Sequence, residues 1–227
     1  MPFSVVTFFD VFARYNEAIW PLQTFAYLAG LLVLAVLFRT SRLSTIIITS
    51  ALAAMWAING IGYHWIFFTE INPVAPVFAA LFVVQAVLLL AAPWLFSDLA
   101  FAVSRDARSL VGLAMIAFAT LIYPAWGAFA GHSYPATPLF GVAPCPTTIF
   151  TVGVLLLGNW RAVRWLLIIP AIWSLIGGSA AILLQVPQDA GLLASLTIIL
   201  ALAIRRRRGL SDQRQGNRHG IRGISAR

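Results

Sequence analysis

Seven apolar runs of 12 to 24 residues, joined by short connectors, take up most of this chain and leave it one workable solvent, hydrocarbon. They cover residues 20–38, 45–68, 74–96, 110–130, 147–158, 163–184 and 190–204. About 20 apolar residues cross the roughly 30 Å core of a bilayer, and because lipid offers no hydrogen-bond partners, such runs cross as helices that satisfy their own backbones. The fifth and seventh runs, of 12 and 15 residues, reach only about 18 and 22 Å as helices. They are expected as short crossings. Ahead of the first run, Val5, Phe8, Phe12, Tyr15 and Ile19 fall on one helical face and Asp10, Arg14 and Glu17 on the other, the pattern of a helix lying in the membrane interface.

Composition agrees: 61% of the 227 residues are apolar and 10% are charged, against roughly 25% charged in a soluble domain. The expected fold class is therefore all-α, a polytopic transmembrane bundle of about seven spans. Its expected divisions are an interfacial amphipathic helix at 1–19, the bundle at 20–204 and a basic tail at 205–227. The first residues lack the pattern of a cleaved secretory signal and are read as part of the mature protein. The single cysteine excludes an intramolecular disulfide. The chain has no lysine, which excludes Schiff-base chemistry and with it a retinal protein.

Arginine placement sets the orientation, because cytoplasmic connectors hold the positive charge. Arg39 and Arg42 follow the first run, Arg105 and Arg108 the third, and Arg161 and Arg164 the fifth, while eight of the last 23 residues are arginine. One side thus holds 14 of the 15 arginines, and Arg14 alone stands opposite, with Asp10, Glu17, Glu70 and Asp189. The amino terminus is expected outside and the carboxyl terminus in the cytoplasm. Treating the fifth run as a re-entrant loop would move Arg161 and Arg164 outside and break the pattern. The basic cluster beginning at Arg205 directly follows an apolar run, so it reads as a topology anchor meeting anionic lipid headgroups and not as a nucleic-acid site. The rest of the tail has too few apolar residues to build a core and is expected to be disordered.

The connector from Gly131 to Thr148 carries Pro135, Pro138, Pro144 and Pro146, which stiffen it. It leads into a short run, so it is expected to dip into the bundle, where irregular backbone must pack on protein or line a cavity. Cys145 sits near the start of the following helix as a candidate nucleophile or soft-metal ligand; the competing reading is an inert packing thiol. His64 and His132 fall at a similar depth. With Cys145 they form a candidate metal set, and Asn59, Tyr63, Glu70 and Tyr134 are candidate cavity-lining residues. Trp56, Asn59, Gly60, Tyr63 and His64 share an arc of about 140° at 100° per residue. No pair has a local metal-binding spacing. Gln23, Gln85 and Gln185 are expected to tie neighbouring helices, and the small residues from Ser174 to Ala181 to pack closely on another helix.

The run Gly131 to Thr151, together with Tyr63-His64-Trp65, Ile71-Asn72-Pro73, Trp173-Ser174 and Gly177-Gly178-Ser179-Ala180-Ala181, resembles a family of multi-spanning bacterial membrane proteins known only as a domain of unknown function. The resemblance covers about residues 3–204. It implies a bacterial inner-membrane location and a bundle fold, and it names no substrate or cofactor. Three readings follow: a protein binding or transporting a small solute or metal ion through an outward-facing cavity, a membrane-embedded enzyme using Cys145 with a histidine, or a scaffold subunit with a dry interior.

Overall fold

The computed structural model describes residues 3–184 and 186–205 of the chain. Helix α1 (Val5–Ala18) starts at Ser4, whose hydroxyl accepts the Thr7 amide at 3.1 Å, a usual N-cap. It turns through 84° into α2 (Leu22–Leu37). Helix α3 (Arg42–Glu70) is capped by Ser41, which accepts the Ser44 amide at 3.0 Å. From Ile58 to Phe67 its backbone is π-helical. Helices α4 (Ala75–Leu95) and α5 (Ala107–Phe129) follow. Asp106 caps α5, and the Ser109 amide donated to its carboxylate at 2.7 Å holds that group below the usual carboxylate range. Helix α5 is π-helical from Phe118 to Ile122. Then come α6 (Pro144–Leu155), the pair α7 (Trp160–Leu166) and α8 (Ile168–Leu184) bent by 46°, and α9 (Pro187–Arg205).

Four of these helices, α3, α4, α5 and α9, are long and apolar enough to cross a membrane, and the two bent pairs bring the number to six. Each of the seven apolar runs lies on one of these helices or on α6. Leu31, Val87, Leu90, Leu183 and Leu200 are exposed on the outside of the bundle, an apolar surface of the kind that lipid covers and water does not.

Two expectations change in detail. The last run is not short: α9 has 19 residues because the polar residues Pro187, Gln188 and Asp189 are its first turn. The apolar face of α1 packs on protein, with Phe8, Phe12 and Tyr15 buried against Tyr63, Phe68 and Val142. Helix α6 is short, as expected, and it is central: every residue from Pro146 to Leu155 is buried. Its closest approach is to α5. A Cβ on Gly112 would stand 2.7 Å from the Gly153 carbonyl oxygen, and one on Gly153 would stand 2.8 Å from that of Gly112, so glycine lets these two backbones touch. Gly177 and Gly178 likewise seat Leu192 and Leu193 of α9, the close packing expected for that small-residue face. Gln23 donates to the Asn16 carbonyl and Gln85 to the Leu166 carbonyl, as helix ties. Gln185 and the tail after Arg205 lie outside the described residues.

The two ends of the bundle differ in chemistry. At one end Thr45 donates to the Leu99 carbonyl, Asn159 to the Asp98 carboxylate and Arg108 to the Leu156 carbonyl. That end gathers Arg42, Arg105, Arg108 and Arg161. At the other end Arg14 pairs with Glu70 at 2.6 Å, Tyr15 donates to the Val142 carbonyl at 2.9 Å, and Tyr123 bonds to Asp189.

Candidate functional site

The connector before α6 does enter the bundle. Thr137, Phe140, Val142 and Ala143 are buried, so their peptide groups need partners other than water. Helix side chains supply them. Asn16 Nδ2 donates to the carbonyls of Pro135 at 2.6 Å and Thr137 at 2.8 Å, Tyr15 holds Val142, and Asn59 Nδ2 reaches the Gly141 carbonyl at 3.2 Å and Thr147 Oγ1 at 3.3 Å. Gly141 has φ +77°, and a Cβ there would stand 2.6 Å from that of Ala26, so both its conformation and its contact with α2 require glycine. Phe140 sits beside it and stacks edge-on against Phe150 of α6. The loop is thereby locked, and it delivers Pro144 and Cys145 to a fixed place at the head of α6.

All five residues of the polar arc on α3 are buried. The π-helical stretch repeats at i to i+5 and brings Asn59 and His64 onto the same side. There they diverge in role: Asn59 holds the connector, whereas His64 faces a half-open cavity of about 270 Å³. Cys145 from α6, Trp173 from α8 and Asp189 from the first turn of α9 line the same cavity, as does Tyr63. The Cys145 sulfur lies against Asp189, Tyr123 and Trp173, and Tyr123 donates its hydroxyl to Asp189 Oδ1. Tyr123 lies directly after the π-helical stretch of α5.

The remaining walls are aromatic. Phe8, Phe12, Tyr63 and Phe68 form a closed ring of contacts with centroid separations of 4.6 to 6.3 Å. The His64 ring is held edge-on between Phe82 at 4.7 Å, Trp173 at 5.0 Å, Phe78 at 5.8 Å and Phe68 at 5.9 Å. Although fully buried, His64 has no hydrogen-bond partner on either ring nitrogen among the described residues, and the same is true of the Tyr63 hydroxyl and the Trp173 indole nitrogen. Buried polar atoms are normally paired, so three unpaired groups on one cavity mark it out.

The residues singled out from the sequence separate into three places. His64, Cys145 and Tyr63 meet at the cavity. His132 does not line it. Its ring stacks flat on Phe9 with centroids 3.7 Å apart, in the connector between α5 and α6, where burial lowers its pKa from the ordinary value. Asn59 is structural, Glu70 is tied to Arg14 at the surface, and Tyr134 is exposed. The candidate metal set His64, His132 and Cys145 thus does not assemble: among the described residues no three His, Cys, Asp or Glu side chains are placed to hold a metal ion.

Asp189, Tyr123 and Trp173 went unrecognised in the sequence. Asp189 reads as a solvated connector charge because it precedes an apolar run. The available signal was its isolation: it is the only acidic residue between Asp106 and Asp212, far from any arginine in sequence, at the start of a helix. Tyr123 sits inside an apolar run with no spacing that distinguishes it, whereas Trp173 belongs to the Trp173-Ser174 pair that carries the family resemblance and was given no role in a site.

A family model described as a family of unknown function (DUF6064) matches residues 5–214 of the chain. No curated protein and no solved structure matches it.

Proposed function

The chain belongs to the DUF6064 family, and we propose that it is a membrane protein that binds a small molecule in the cavity shared by His64, Cys145 and Asp189. The observation that carries this reading is His64: a fully buried imidazole faces a half-open cavity with both nitrogens unpartnered among the described residues. Leaving a buried polar atom unpaired costs about 1–3 kcal/mol, and an occupant with a polar group removes that cost. At about 270 Å³ the cavity is close to the roughly 300 Å³ floor for small-molecule sites. It suits one ring or a short branched body with a single polar head.

The same reading counts seven crossings in a bacterial inner membrane, with α6 as a short crossing shielded from lipid by its neighbours. The gathering of arginines at one end of the bundle supports this count and an outward position for the cavity. The tail from Arg205 then lies in the cytoplasm against anionic headgroups. The carboxylate of Asp189 lies against the Cys145 sulfur, but His64 makes no hydrogen bond and His132 lies elsewhere, so no Cys/His pair forms and the geometry favours binding. A scaffold with a dry interior does not account for a buried acid, imidazole and thiol around one space.

Thermal unfolding of the full chain in detergent with benzyl alcohol, benzylamine or benzoate tests the reading. At least one compound should raise the wild-type midpoint by several degrees and lose that effect in Ala180→Trp, which fills the cavity. Equal responses of the two proteins to every compound would refute it.

A further inference from the structure

We infer that the ligand of this cavity is a small organic cation, an ammonium group with apolar substituents, whose charge is balanced by Asp189. The inference rests on the binding reading above and specifies its ligand class. Asp189 is only 5% exposed, and its carboxylate lines the cavity. An isolated ionised carboxylate is costly to bury unless a cation accompanies it. Among the described residues no such cation stands there. The chain has no lysine, no arginine lines the cavity among the described residues, and Arg14, the arginine at this end of the bundle, is occupied by Glu70 at 2.6 Å.

The ionisable and hydrogen-bonding groups that face Asp189 from the surrounding helices are Tyr63 and His64 of α3, Tyr123 of α5, Cys145 of α6 and Trp173 of α8. Tyr123 donates a hydrogen bond to the carboxylate, and His64 makes no bond to it. None of them brings a positive charge into contact with Asp189. A cation in the cavity would hold this carboxylate ionised beside Tyr123 and Cys145, supplying the charge that the described residues do not.

The walls fit the same ligand. Phe8, Phe12, Tyr63, Phe68, Phe78 and Trp173 surround the space, and the negative face of an aromatic ring attracts a cation, most strongly where water is absent. An anion would meet both a carboxylate and this aromatic collar. A neutral molecule of the same shape would fill the volume but leave Asp189 without its partner. One unpaired nitrogen of a neutral His64 can accept a hydrogen bond from a hydroxyl or N–H on the ligand, and the other donates.

Choline and its uncharged carbon isostere, 3,3-dimethylbutan-1-ol, differ in charge and little else. Equilibrium binding of the two to the full chain in detergent should favour choline by about tenfold or more. Asp189→Asn should bring the pair to within about threefold of each other, while Tyr123→Phe, which keeps the carboxylate, should retain the preference. Equal or tighter binding of the alcohol by the wild type would overturn the cation assignment and leave the binding reading standing. A choline preference that survives in Asp189→Asn would overturn the role of Asp189. Binding of neither compound to the wild type would overturn the cation and the cavity together. The wild-type comparison decides the ligand class even where a variant does not fold.

Discussion

Asn16 carries more of the site than its chemistry suggests, because a single side-chain amide serves two carbonyls of the connector, the half-buried Pro135 and the buried Thr137, at 2.6 and 2.8 Å. Asn16→Ala strands both. We expect it to lower stability by about 2–4 kcal/mol, read from reversible unfolding in detergent; a loss under about 0.5 kcal/mol would show that the connector does not depend on it. His132 gives a pH signature. Burial lowers its pKa in the folded state, so as pH falls below the ordinary histidine value of about 6.5 the unfolded chain takes up the proton first and stability drops, levelling off below the folded value. That slope should be shallower in His132→Gln, with the remainder coming from the fully buried His64, and unchanged in Cys145→Ser. At this scale the sequence told residue type and depth but not direction. His64, Tyr63 and Cys145 were legible because a polar group within an apolar run has few places to go. Asp189 was missed because a helix-start acid looks the same whether it faces water or a cavity.

Helices were legible wherever an apolar run was long, and their internal geometry was not. The π-helical turns of α3 and α5, which precede or include His64 and Tyr123, arise from one extra residue in a turn, and an apolar run reads the same with or without it. The head of α9 was set too late because Gln188 and Asp189 are polar, yet both are buried; tertiary contact with Tyr123 outweighs the pattern. The α5–α6 crossing gives an element-scale test. Gly112→Ala places a methyl 2.7 Å from the Gly153 carbonyl oxygen, so it should push the helices apart and cost about 1–3 kcal/mol. Gly131→Ala meets nothing within 4 Å and should cost less, through its left-handed φ alone. If the two are equally harmful, close approach is not what Gly112 supplies.

For the whole molecule, the division between an arginine end and an end holding Glu70, Asp189 and the buried connector is what makes the bundle a directional object. That division was legible from arginine spacing alone, since charge at a membrane edge obeys a simple rule. The cavity was legible only in outline, because it needs residues from α1, α3, α6, α8 and the start of α9, which no local pattern relates. Cys145, the single cysteine, allows the arrangement to be tested in the unmodified protein. In intact cells a small, membrane-impermeant thiosulfonate should react with Cys145 from outside, a reporter at the carboxyl terminus should stay on the inner side, and Ala180→Trp should slow the reaction severalfold by filling the cavity. Labelling only from the side of the reporter, or at an unchanged rate in Ala180→Trp, would contradict an outward cavity built around His64, Cys145 and Asp189.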